Sequence, residues 1–236
     1  MQRILTLALL MVAFTVSVYA QPKIEIIGGD EYNWGTVKPT DSPLKAKVKI
    51  KNIGNQLLKI DKVKPSCGCT TAPLDKDQLK PGETATIDIK FNISSRPGHT
   101  SKTIRIHSND PKNPTKILRL KAEVFVPIVV KPSSNLRIKE LKVGYETVAT
   151  AKIKNVSKKT ITLKNYKFSP SNVQGVITNL KKNIKLKPGE DFDFIARIKP
   201  VKSGYFQMTI IIETDNQDMK EIKIYARKTV DKSDLF

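Results

Sequence analysis

The chain is poor in the residues on which most catalytic chemistry relies. Its 236 residues include two cysteines and two histidines. Two cysteines exclude a cysteine-rich disulfide scaffold. Two histidines sharply limit any histidine-based triad or metal site. Aromatic residues make up 6% of the chain, with a single tryptophan. Acids are scarce beside bases, 22 Asp and Glu against 42 Lys and Arg, for a net charge of +20. No Gly-x-Ser-x-Gly elbow and no phosphate-cradling glycine-rich loop occurs. The expectation is a protein that is not an enzyme and that needs no cofactor. What is present is enough apolar sequence, 39%, for packed domains. The length suits one or two of them.

The first twenty residues have the pattern of a signal peptide. Arg3 supplies a positive start, Ile4 to Val16 is almost unbroken apolar sequence, and Val18-Tyr19-Ala20 offers a cleavage site before Gln21. The apolar run is shorter than a spanning helix needs. After Gln21 no apolar run of spanning length follows, so no transmembrane span is expected in the mature chain. Export to the periplasm or beyond the cell is the expectation. Loss of Arg3 with the leader leaves the mature charge at +19.

Beyond Gln21 the dominant pattern is alternation. Leu44 to Lys51 places Leu, Ala, Val and Ile on one face and four lysines on the other. A strand with one buried and one wet face has this pattern. Thr84 to Phe91, Thr103 to His107 and Ile117 to Val126 continue it. Phe91, Phe125, Phe192, Phe194 and Phe206 read as core. Pro, Gly, Asn and Asp punctuate the gaps. The order then repeats. Asn52-Ile53 matches Asn155-Val156, Pro81-Gly82-Glu83 matches Pro188-Gly189-Glu190, Gly98 matches Gly204, and Ser108-Asn109-Asp110 matches Thr214-Asp215-Asn216, at offsets of 103 to 107. A near-constant offset points to internal duplication. The predicted fold is all-β: two tandem immunoglobulin-like β-sandwiches after a signal peptide. The predicted divisions are a leader at 1–20, domains at 21–126 and 127–229, and a tail at 230–236.

The run Trp34-Gly35-Thr36-Val37, Asn52-Ile53-Gly54, Ser66-Cys67-Gly68-Cys69-Thr70, Pro81-Gly82-Glu83, Gly98 and Ser108-Asn109-Asp110-Pro111 resembles a bacterial domain family of unknown function, DUF1573. The resemblance covers about residues 30–124. It implies an immunoglobulin-like fold similar to the ASPM/SPD-2/Hydin domains, and an exported setting, but no established activity. The second half keeps the asparagine and Pro-Gly-Glu landmarks without the Cys-Gly-Cys run, as a diverged copy would.

Cys67 and Cys69 are the one unusual constellation. Three roles stay open for them at this level: a structural loop element, a thiol–disulfide pair, or a soft-metal site. A disulfide across one residue closes a very small ring, which Gly68 eases. No Cys-x-x-Cys at a helix start is available to lower a thiolate pKa. Lys62, Lys64 and Lys76 lie near in sequence. Two thiolates could hold Cu(I), or share zinc with imidazoles, for which His99 and His107 are the candidates. Each reads more simply as a surface histidine, His99 in a loop and His107 on the polar face of a strand. Trp34 reads as core or rim packing, and as a binding anchor if exposed. Cys67, Gly68, Cys69, Thr70 and Trp34 are therefore the candidate binding residues.

The charge is spread, with 19 bases and 11 acids over residues 21–126 and 22 and 11 over 127–236. Lysines on strand faces keep a sheet soluble. They also attract anionic partners. The expected function is a non-catalytic exported binding or scaffold protein of the bacterial cell envelope. Its partner would be an envelope protein or an anionic envelope polymer or lipid, with no nucleic acid. The alternative is a periplasmic thiol–disulfide or copper-handling protein using Cys67 and Cys69.

Overall fold

The alternating segments form strands in a computed structural model that describes residues 20–232. The expected signal peptide and the end of the tail lie outside the described residues. The first strands are β1 (Ile24–Ile26), β2 (Glu31–Val37), β3 (Leu44–Asn52), β4 (Leu58–Pro65), β5 (Thr70–Thr71) and β6 (Gln78–Leu79). They are followed by β7 (Thr84–Phe91), β8 (Gly98–Ser108) and β9 (Thr115–Val124). Then come β10 (Ile128–Lys131), β11 (Thr147–Asn155), β12 (Ile161–Ser169) and β13 (Val176–Thr178). The last are β14 (Ile184–Leu186), β15 (Asp191–Ile198), β16 (Gly204–Thr214) and β17 (Glu221–Val230). Among the described residues no helix is long and apolar enough to cross a membrane.

The chain divides into two compact units. One takes the described residues up to Gly35 with Pro43–Ile93 and Thr100–Ala122. The other takes Thr36–Ser42, Ser94–His99 and the described residues from Glu123. The sheets β1-β3-β7-β5 and β2-β9-β8-β4-β6 face each other across one core. Ile24, Ile50, Ile87 and Ile89 from the first sheet meet Leu58, Ile104, Ile106, Leu118 and Leu120 from the second. The sheets β10-β11-β15-β13 and β14-β12-β16-β17 do the same around Ile153, Phe194 and Ile198 on one side and Leu163, Met208, Ile210 and Ile224 on the other. The fold is all-β, with two tandem β-sandwiches.

Parity along each strand decides which side chains enter these cores. On β3, Leu44, Val48 and Ile50 are buried while Lys45, Lys47 and Lys49 are exposed. Phe91 and Phe194 are fully buried as expected. Phe125 is not: Ala122, Val124 and Val126 take the inward positions, and Phe125 points outward at 39% exposure. Phe192 and Phe206 are half-buried at the rim of their core.

Two buried asparagines hold the turns. Asn52 donates its side-chain amide to the carbonyls of Gln56 and Leu79, at 2.7 and 2.9 Å, and accepts from the Gly54 N–H at 2.9 Å. Asn155 donates to the carbonyls of Lys159 and Leu186, both at 2.8 Å, and accepts from the Ser157 N–H at 2.9 Å. The Gly82 and Gly189 N–H groups donate to the main-chain carbonyls of Asn52 and Asn155. Both glycines have positive φ, 82° and 80°, which explains glycine after proline in each turn. Glu83 and Glu190 then close their turns by accepting from the N–H of Lys80 and Lys187, each at 2.7 Å.

Candidate functional site

The segment carrying both cysteines is a crossover between the two sheets of its sandwich. β4 runs antiparallel to β8 as far as Pro65, opposite Ile104. Ser66 extends that pairing: its N–H donates to the Thr103 carbonyl at 2.8 Å, and its Oγ accepts from the Thr103 N–H at 3.1 Å. The chain then turns and reaches the other sheet, where Thr70 and Thr71 pair with Phe91 and Lys90 of β7 as the edge strand β5. The Asn92 N–H donates to the Cys69 carbonyl at 2.8 Å. The segment from Pro65 to Thr71 is thus tied to a sheet at each end.

Cys67 and Cys69 form a disulfide, with 5.3 Å between their Cα atoms. It closes the sharp turn of the crossover. The Thr70 N–H donates to the Cys67 carbonyl at 3.3 Å. The buried Thr70 hydroxyl contacts both sulfurs, at 3.7 and 3.9 Å. Gly68 forms the exposed tip, and a Cβ built there meets nothing within 4 Å. The result is a preformed loop with an open face. Rigid, exposed loops of this kind bind with little ordering cost.

Trp34 is half-buried and packs against the core. Its ring lies edge-on to Tyr32 at 4.7 Å and 6.0 Å from Phe91, and its Nε1–H donates to the Lys45 carbonyl at 3.1 Å. Phe91 in turn pairs with Thr70, so Trp34 supports the strand on which the disulfide loop is seated.

The two histidines are engaged elsewhere. His99 lies at the start of β8, not in a loop, with its Nδ1 against the Glu123 carboxylate. His107 is half-buried, with Nδ1 3.0 Å from the Thr115 hydroxyl. Cys67, Cys69, His99 and His107 are not brought together as a ligand set. Among the described residues no three His, Cys, Asp or Glu side chains form a group that could hold a metal. Of the lysines near the cysteines, Lys76 pairs with Glu83 at 2.8 Å. That bond and the N–H of Lys80 hold the Glu83 carboxyl below its ordinary pKa. Lys62 and Lys64 stand opposite His107 and Arg105 on β8.

One surface had no sequence signal. In the second unit a cleft of about 450 Å³ is lined by Val143, Ile177, Arg197, Pro200 and Val201. Ile177 is 68% exposed and Val201 59%. The apolar residues come from a loop, an edge strand and another loop, so no periodicity unites them.

Residues 26–124 match a family described as "Protein of unknown function (DUF1573)". A DUF1573 domain with a β-sandwich fold therefore covers this part of the chain. No curated protein matches the chain. Among solved structures it is similar to an Escherichia coli alpha-2-macroglobulin activated by porcine elastase, at 11% identity and TM-score 0.50, over 92% of this chain and 22% of that one. It is similar to a Salmonella alpha-2-macroglobulin mutant at 10% identity and TM-score 0.50, over 90% of this chain and 16% of that one. A protein of unknown function from Porphyromonas gingivalis W83 is similar at 12% identity and TM-score 0.37, over 87% of this chain and 99% of that one. The chain spans under a quarter of the macroglobulins, and at these identities the likeness is one of fold alone.

Proposed function

We propose that this chain is a non-catalytic binding or scaffold protein, exported to the periplasm or cell surface of a bacterium. Its DUF1573 domain, at 21–126, presents the loop Ser66–Thr71 to an envelope partner. The domain at 127–229 is a diverged copy that serves as a spacer. The equivalent hydrogen bonds around Asn52 and Asn155 support the duplication. Closure of Cys67 with Cys69 fits an oxidising compartment and the leader pattern of residues 1–20.

The observation that carries the reading is the seating of the disulfide. Hydrogen bonds tie its turn to β8 on one side and β7 on the other, while Gly68 stays exposed at the tip. This geometry favours a fixed recognition element. In the alternative, a thiol–disulfide or copper-handling protein, the same pair would open and close during turnover. Thiol titration of the purified protein separates the two, with and without reductant and copper. The binding reading expects no free thiol before reduction, no catalysis of disulfide exchange, and no copper uptake above that of a C67S/C69S variant. Turnover that depends on the cysteines would overturn it.

A further inference from the structure

The outward face of the sheet β1-β3-β7-β5 carries a row of lysines that its own acids do not neutralise, and we propose that this row binds a linear phosphodiester polymer laid along β3. Residues two apart on a strand share a face and repeat about every 7 Å. On β3 that face holds Lys45, Lys47, Lys49 and Lys51, and Lys90 of β7 stands directly opposite Lys45. Lys47 reaches Asp88 at 3.7 Å, with both side chains at least half exposed. Such a pair contributes little. Among the described residues no ion pair joins Lys45, Lys49, Lys51 or Lys90 to an acid. Like charges opposite one another destabilise a sheet. A bound polyanion removes that penalty.

The second unit provides an internal comparison. β11 and β15 occupy the central places in their sheet that β3 and β7 occupy in theirs. There Lys152 stands opposite Asp193 and Lys154 opposite Asp191, with ion pairs at 2.8 and 3.1 Å. Hydrogen bonding to Asp193 raises the pKa of Lys152. In the first sheet the β7 residues opposite Lys49 and Lys51 are Thr86 and Thr84, and the acid beside Lys51 is Glu25 on β1, with no ion pair between them among the described residues. Where the first sheet sets Lys45 against Lys90, the second sets Val148 against Arg197; its own facing lysines, Lys131 and Lys152, have Asp193 paired to Lys152. Solubility explains lysine on a strand in either unit. It does not explain why the β7 positions opposite Lys49 and Lys51 hold threonines where the matching β15 positions hold acids.

The shape of the row selects the ligand. Glu25 on β1 stands beside Lys51 and Asp88 on β7 beside Lys47, so the positive strip follows β3 and widens to β7 only where Lys90 stands beside Lys45. A single file suits a chain better than a lipid surface. The outward residues of β1, β3 and β7 are Glu, Lys, Thr and Asp, with no aromatic ring on which a base could stack. A polyol- or sugar-phosphate polymer fits; a nucleic acid does not. The inference rests on the exported binding role proposed above and names a second partner class for it.

The test is titration of the purified protein with synthetic poly(glycerol phosphate) at low and moderate salt. K45Q/K49Q/K51Q is expected to weaken binding at least about tenfold and to flatten its salt dependence. K158Q/K181Q/K182Q removes the same charge from the second unit and is expected to change binding less than about twofold. Equal losses would overturn the proposal, because binding would then follow net charge. So would row-dependent binding that prefers phosphatidylglycerol vesicles or oligothymidylate. Should the triple variant fail to fold, T84D/T86D places the second unit's acids on β7, and the same loss is expected. Envelope capture insensitive to Gly68→Phe would end the loop reading and leave this one standing.

Discussion

Asn52 donates its side-chain amide to the Leu79 carbonyl at 2.9 Å from a fully buried position. Asn155 makes the equivalent bond to Leu186 at 2.8 Å. Removing either side chain leaves two carbonyls and at least one N–H without a partner. Unsatisfied buried groups cost about 1–3 kcal/mol each. Asn52→Ala and Asn155→Ala are each expected to destabilise by at least about 2 kcal/mol, measured by denaturant unfolding. A loss within error for either would mean that water replaces the side chain there.

Asp110 predicts a pH dependence. Burial works against its charge, but the N–H groups of Ile24, Asn113 and Lys112 outweigh burial and hold its carboxyl below the ordinary carboxylate value. Asp215 is lowered in the same way, with the Thr162 N–H as its main donor. A carboxyl depressed in the folded state binds its proton more readily when unfolded. Its stabilisation is therefore fully present above the ordinary pKa and disappears as pH falls through the folded value. Stability is expected to drop below about pH 4, and Asp110→Asn to flatten that drop. The same variant should lower stability at neutral pH, since an amide cannot accept from all three donors.

Loss of the disulfide should have a small global effect. A ring closed across one residue restricts the unfolded chain little, on the order of 1–2 kcal/mol. Truncating a fully buried residue such as Ile50 to alanine costs about 2–5 kcal/mol. C67S/C69S is expected to unfold within about 2 kcal/mol of the native protein while amide exchange accelerates at Thr70, Thr71 and Asn92. Global unfolding of that variant would show that the bond holds the sandwich together.

Two glycines should respond oppositely to alanine. A Cβ at Gly54 would lie 2.2 Å from the Gln21 carbonyl oxygen, because the segment before β1 crosses it. A Cβ at Gly68 meets nothing within 4 Å. Gly54→Ala is expected to destabilise by more than about 2 kcal/mol, and Gly68→Ala by less than about 0.5. Thermal melts of the two variants check this.

The strands were legible because alternation and burial coincide: Leu44 to Lys51 and Thr84 to Phe91 place their apolar residues inward as the pattern requires. Phe125 misled because hydrophobicity alone does not give parity; its neighbours Val124 and Val126 had already taken the core. The Cys-Gly-Cys run drew attention to this loop as a candidate, but did not show that Ser66 and Thr70 anchor it to different sheets. That depends on contacts with Thr103 and Phe91, distant in sequence. The lysines of β3 were visible from the start. Their missing partners were not, because Thr84 and Thr86 acquire meaning only through the register.

The central claim is that the tip of the disulfide loop is a recognition surface. Gly68→Phe tests it most directly, since a side chain there enters open space. Detergent-solubilised envelope proteins are captured on immobilised native protein and on the variant, with thermal melts run beside them. The account predicts an unchanged melting temperature and loss of a specific captured partner. Retention of that partner by Gly68→Phe would contradict it.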